Sequence, residues 1–433
     1  MNYLNKYLLV LCFLVTSIGS SLAQKYTLSG YVNDSTGGEQ LLGASVFISE
    51  SKDGTATNLY GFYSITLPAG TYNVIYSYVG YKSKKLTINL QENTTTNINL
   101  SSVTKLSEVE ITGERSNQIQ EKTQMSSINL SMDKVKTLPS FLGEQDVIKT
   151  LQLLPGVQSG GEGSSGLYVR GGGPDQNLIL LDGVPVYNAS HLFGFFSVFN
   201  ADAINSVELM KGGFPARYGG RLSSVLDIRM KEGNMSEFHG EGSVGIISSK
   251  LSLEGPIQKG KTSFIVSGRR TYLDILSRPI ISAAARSQGA GKIKTGYYFY
   301  DLNAKVNHKF SDRSRLFLSA YSGDDRFYLD LTEDYTFDGR AYENEINADL
   351  VWGNKIAALR WNYMITPKLF SNTTVTYSKY KFSTDAGFKE KYNDENNNPV
   401  ENSFLQTFYS GIDDVTAKVD FDYMPSPNHF IKF

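Results

Sequence analysis

From about residue 300 the chain alternates between apolar and polar side chains. Tyr300, Leu302, Ala304 and Val306 are interleaved with Asp301, Asn303, Lys305 and Asn307. Leu359, Trp361 and Tyr363 alternate with Arg360 and Asn362, and Ala417, Val419, Phe421 and Tyr423 with Lys418, Asp420 and Asp422. A period of two is the signature of a strand with two unlike faces. The short polar breaks SDRS (311–314), TPKL (366–369) and SPN (426–428) read as tight turns, and the stretches Asp324 to Asn347 and Thr384 to Leu405 as long polar loops. Residues 233–433 therefore predict eight or nine antiparallel strands joined alternately by short and long connections. One apolar face and one charged face suit either a half-buried sheet or a barrel with lipid outside and water inside.

Residues 25–100 carry shorter apolar runs, 26–32, 44–50, 60–67, 71–79, 85–90 and 96–100, punctuated by Gly54, Gly61, Gly70 and Gly80. This spacing predicts a small β-sandwich. Between the two β regions the pattern mixes. Val147, Ile148, Leu151 and Leu154 mark an amphipathic helix ended by Pro155-Gly156. NLILL (177–181) is a strand entering an Asp182-Gly183 turn, and further strand–glycine–strand segments follow up to about 232. The fold class is thus mainly β: a small sandwich, then an α+β unit, then an antiparallel sheet.

Composition narrows the function. The 433 residues hold 42 basic and 43 acidic side chains, so nothing electrostatic argues for nucleic acid. Lys6, the apolar run Tyr7 to Ile18 and Ser21-Leu22-Ala23 form a secretory signal over 1–23. The single cysteine, Cys12, lies inside it behind Leu11, which argues against a lipid anchor and leaves an exported chain without disulfides. No later run approaches the ~20 apolar residues of a membrane helix, which leaves barrel strands open.

GEGSSG (161–166) fits the dinucleotide fingerprint, with Asp182 downstream. That motif needs a strand before it and a helix N-terminus after it. Here a helix and turn precede and a strand follows, so the loop binds no nucleotide. NDENNNP (393–399) lacks the glycine and terminal glutamate of a calcium loop. The four histidines form no HxxE or HExxH pair. These readings leave no metal, no cofactor and no catalytic constellation: the chain is read as not an enzyme.

Residues 25–100, through "LSGYVND", "LLGASVFI" and "GTATNLYGFYSITLPAGTYNVIYSYVGY", resemble the carboxypeptidase regulatory-like domain. From Asp146 to Ile228, "DVIKTLQLLPGV", "LYVRGG", "NLILLDGVPVYN" and "HLFGFFSVFNADAINSVELMKGGFPARYGGRLSSVLDI" resemble, in one order, the plug domain of TonB-dependent outer-membrane receptors. The resemblance implies a linker at 101–127, a plug at 128–232 and the opening part of a transmembrane β-barrel at 233–433. It implies energy-coupled uptake of an unidentified extracellular ligand across the outer membrane, with outer-membrane lipid and a TonB-type energy-transducing protein as partners and the first domain and linker in the periplasm. A surface-binding or adhesion protein without transport is the alternative. Within the linker, Glu108, Val109, Glu110, Ile111 and Thr112 of "LSEVEITGE" resemble a TonB box; the same island also reads as the first strand of the next domain.

As plug–barrel contacts the reading selects Arg170, Asp182, Lys211 and Arg221. Arginine forks suit wall carboxylates, Asp182 suits its own turn, and Lys211 opens a basic turn near the wall; a local ion pair or cap within the plug is the other reading. Gly171, Gly172, Gly183, Gly212, Gly219 and Gly220 are its turn positions. The aromatic run 190–199 is either packed core and wall contact or a ligand-facing apex. Eight or nine strands fall short of the ~22 of a plugged transporter barrel. The chain is therefore expected to be C-terminally truncated and, alone, unable to insert as a transporter, because open sheet edges are not tolerated in lipid.

Overall fold

The computed structural model describes residues 24–103, 127–137, 144–160, 166–287, 291–427 and 429–433. The signal segment, the TonB-box island and all of GEGSSG but Gly166 lie outside these residues.

The first unit is a two-sheet sandwich. Strand Lys25–Asp34 pairs antiparallel with Phe62–Pro68 and parallel with Thr94–Thr95 and Ile98–Leu100. The second sheet orders Gly54–Ala56, Ser45–Ile48, Gly70–Ser77 and Lys84–Leu90. Leu28, Val46, Ile65, Leu67 and Val74 fill the space between them, each stabilising the fold by roughly 1.5–3 kcal/mol through burial.

The second unit holds a five-stranded mixed sheet in the order Val184–Pro185, Asn177–Leu181, Ser224–Met230, Ile204–Lys211, Ser127–Ser131. The helix Val147–Leu151 covers it, its N-terminus capped by the Asp146 side chain, which accepts from Lys149 N at 3.0 Å. Strand Asn177–Leu181 reverses at Asp182 (φ 50°) and Gly183 (φ 84°), with Leu181 opposite Val184. Two successive positive φ values make this a two-residue hairpin, a conformation Asp-Gly adopts with little strain. Val157–Gln158 pairs with Tyr168–Val169 across the glycine-rich segment, so a strand, not a helix, follows it.

The third unit is one continuous antiparallel sheet of nine strands in sequence order, from His239–Val244 to His429–Lys432. The tight turns fall where the pattern places them, between Ser311 and Ser314, Thr366 and Leu369, and Ser426 and His429. The two long polar stretches are not loops. Ser314–Phe337 and Arg340–Thr366 stay in register up to Phe337 opposite Arg340, and Leu369–Asn393 and Pro399–Ser426 up to Asn393 opposite Pro399. These strands of 24 to 28 residues far exceed the ~9–11 that cross a bilayer. Their upper halves are wet on both faces, so the apolar alternation disappears while the ladder continues. Cross-strand pairs hold them instead: Tyr335 stacks on Tyr342 at 5.1 Å, and Lys391 Nζ reaches Glu345 at 2.7 Å and Glu343 at 3.2 Å. The helix Leu273–Ser287, with Pro279 inside it, was not foreseen. Among the described residues no helix is long and apolar enough to cross a membrane, which says nothing of strands.

Candidate functional site

The alternation of the wall strands is inverted with respect to burial. Along strand Lys292–Ser311 the apolar Leu302 and Val306 are 54% and 37% exposed, whereas Asp301 and Lys305 are 0% and 2% exposed. Leu318, Leu359, Val375 and Val419 continue the outward apolar row, and Trp361 and Tyr363 lie on the same face near the tight turns. The polar face is buried because the second unit is seated on it.

Two clusters join plug to wall. In the first, His191, at the end of the short strand Ser190–His191, donates from Nδ1 to Asp325 Oδ2 (2.6 Å) and from Nε2 to Asp301 Oδ1 (2.8 Å). Its ring lies flat on Phe299, centroids 4.0 Å apart. Asp301 also accepts from Arg269 Nε (2.8 Å) and Nη2 (2.6 Å) and from the Tyr321 hydroxyl (2.7 Å). Arg269 Nη2 donates to the Ser197 carbonyl at 2.7 Å and Nη1 to Glu144 at 3.3 Å. Tyr297 donates to Asp325 and in turn accepts from Leu192 N at 2.7 Å. Burial alone would lower the His191 pKa, but the carboxylates of Asp301 and Asp325 outweigh it and raise it to about 9. Both ring nitrogens therefore carry protons at neutral pH, and a plug cation is clasped by two wall anions.

The second cluster has the opposite polarity. Asp182 of the plug hairpin faces Lys305 of the wall, Oδ2 to Nζ 3.0 Å. Lys305 also donates to the Met230 carbonyl (3.0 Å), and Met230 N donates to Asp182 Oδ1 (3.1 Å). Burial pushes the Asp182 carboxyl up, yet the neighbouring Lys305 and Arg360 and these hydrogen bonds together hold it below the usual carboxylate range. Below it, Glu232 pairs with Arg315 at 3.1 Å and approaches Arg360 at 3.7 Å. Such dry pairs add little net stability relative to an apolar core, but removing one partner is costly. They fix where the plug sits.

Of the residues selected from sequence, Asp182 lies in this interface. Of the others, Lys211 Nζ donates to the Pro155 carbonyl (2.7 Å) and Arg221 to the Gly220 carbonyl (2.7 Å), both within the plug, while Arg170 is exposed and its guanidinium lies beside Gly212. An arginine or lysine next to a flexible glycine turn finds a carbonyl locally before it can reach a wall. Gly171, Gly183, Gly212 and Gly220 have positive φ; a side chain on Gly172 would strike Ser223, and Gly219 has neither constraint. Within the aromatic run, Phe196, Val198 and Phe199 are buried, with Phe196 packed on Ile247 and Phe299, and Phe195 is exposed. Sequence reading missed His191, Arg269, Asp325 and Glu144. The available signal was the polar parity of the wall strands: a charge on the covered face needs a partner.

Comparison with known proteins agrees with this architecture. Residues 28–112 match the CarboxypepD_reg-like domain, and residues 120–224 the TonB-dependent Receptor Plug Domain. The chain thus carries, in order, a carboxypeptidase regulatory-like domain and the plug of a TonB-dependent receptor, followed by wall strands. It is 30% identical over 142 residues to the Ferrienterobactin receptor of Escherichia coli (strain K12), covering 29% of this chain and 19% of that protein. To TonB-dependent receptor P26 of Formosa agariphila it is 30% identical over 214 residues, covering 48% and 21%. Among solved structures it is similar to the siderophore receptor PirA from Acinetobacter baumannii, with a TM-score of 0.37 and 16% identity over 71% of this chain and 60% of that one. The matches take in less than a third of the length of the curated relatives.

Proposed function

We propose that this chain is the plugged, periplasm-facing part of an outer-membrane receptor that imports a ligand with energy from a TonB-type partner. The observation that carries the proposal is the inverted burial of residues 300–307, apolar side chains outward and charged ones covered by the plug. A soluble sheet does the reverse. Lipid on the outside and a removable stopper on the inside account for both faces. In this reading residues 25–100 form the periplasmic sandwich, 101–127 the linker with the TonB-box segment Glu108 to Thr112, 128–232 the plug and 233–433 wall. A filled lumen offers no path, so import needs a mechanical pull on the plug, delivered through an extended segment that adds to a partner's sheet edge.

Two relatives bear names that mention ferrienterobactin or ferric enterobactin, which makes a ferric siderophore the first ligand class to test. Cells carrying the full-length gene would be given 55Fe-enterobactin, with and without a protonophore and with Leu106 to Glu114 deleted. Energy-dependent uptake that the deletion abolishes, with surface binding retained, is the expected result. Correct surface display with binding but no energy-dependent uptake would favour the adhesion reading.

A further inference from the structure

The sandwich does not hang free of the barrel. Its loop Asn58 to Gly61 projects against the tight-turn end of the wall. Asn58 shapes this loop, its Oδ1 accepting from Tyr60 N (2.9 Å) and Phe62 N (3.0 Å), while its Nδ2 donates to Asp422 Oδ2 on the wall (2.8 Å). Tyr60 and Phe62 stack on Phe370 at 5.4 and 5.3 Å, and with Tyr31, Met364 and Met424 they form a closed apolar cluster shared by sandwich and wall. All six side chains are buried.

The same loop grips the plug. Arg229, at the outgoing end of plug strand Ser224–Met230, donates to the Leu59 carbonyl at 2.8 Å and lies over the Tyr60 ring at 5.4 Å. Wall Arg360 lies over that ring at 5.5 Å. Just beyond the strand, Glu232 N donates to Glu39 (2.8 Å) and Met235 N to the Gly37 carbonyl (2.9 Å). Plug, wall and sandwich thus meet around one aromatic ring.

We propose that the sandwich is a periplasmic clamp: docked, it ties the outgoing strand of the plug to the wall, and it must leave the rim before the plug can shift. The clamp's meaning as a gate rests on the transport reading above; its mechanical effect on the plug does not. The three-way contact makes the sandwich part of the closure.

The test is hydrogen–deuterium exchange on the product of the full-length gene in outer-membrane vesicles. Cysteines introduced as Asn58→Cys and Asp422→Cys are joined by a short, reducible bis-thiosulfonate reagent. Exchange in plug strand Ser224–Met230 is expected to slow several-fold when joined and to recover on reduction. In the double variant Phe370→Ala/Asp422→Ala it is expected to quicken about tenfold, together with residues 58–62. Faster exchange at 58–62 with Ser224–Met230 unchanged would overturn the clamp, as would unchanged exchange on joining. Neither measurement requires uptake, so failure of the transport reading, seen as absent 55Fe import, is distinguishable from failure of the clamp.

Discussion

Replacing His191 by glutamine should loosen the plug without unfolding the wall. The imidazolium bonds both Asp301 and Asp325. After substitution Asp301 keeps Arg269 and Tyr321, while Asp325 is left with Tyr297 and Leu192 N. Breaking a dry ion pair from one side costs about 3–5 kcal/mol. The raised ring pKa points the same way. Raising the ring from its ordinary 6.5 to about 9 corresponds to roughly 3 kcal/mol in favour of the seated, charged state. A loss of about 3 kcal/mol is a hundredfold or more in the opening equilibrium. Because the pKa is raised on seating, this contribution is fully present below pH 6.5 and disappears as pH rises through about 9. The assay is native-state hydrogen exchange of plug amides in the membrane-embedded protein between pH 6 and 10, corrected for intrinsic rates. Wild type should open progressively between about pH 6.5 and 9; His191→Gln should be about a hundredfold more open at pH 6 and show no such dependence. A variant within tenfold of wild type at pH 6 would refute the claim that this clasp holds the plug.

Three further outcomes are expected. Glu39 is pushed up to about 7 by burial and by the facing Glu232 carboxylate, against partial relief from Glu232 N–H and nearby lysines; the sandwich–plug contact should hold fully below pH 4.5 and weaken as pH passes 7, read as faster exchange at residues 37–40, and Glu39→Gln should remove that dependence. Brominated acyl chains should quench outward Trp361 (44% exposed) and spare plug-facing Trp352 (4% exposed); equal quenching would contradict the assignment of faces. Lys305→Met should destabilise the plug by about 3–5 kcal/mol by stranding Asp182, whereas Lys305→Met/Asp182→Leu should recover most of that in a denaturant titration.

How much of this was legible depends on what each residue faces. The sandwich strands and the tight turns follow from local rules, alternation ended by Gly, Pro, Ser or Asn, and they fall within a few residues of where the pattern places them. The upper hairpins failed because water on both faces erases the period that marks a strand. Asp301 and Lys305 were visible as a polar parity, but their partners, His191 and Asp182, lie more than a hundred residues away in sequence, beyond the reach of any local pattern. His191 in particular is masked by the aromatic residues around it. Lys211 and Arg221 show the complementary case: a long cation beside a turn looks available to a distant carboxylate until the nearest carbonyl is in view.

The charged lining of the wall has a last consequence. A stopper glued by apolar contact would expose greasy surface on leaving, and each departure would invite collapse or misassembly. Here, beside a few apolar contacts such as Phe196 on Phe299, the frame is lined by aspartate, asparagine, lysine and arginine, which water can solvate once the plug is gone. In the transport reading, a conduit opened along this charged lining would be wettable from the moment it forms.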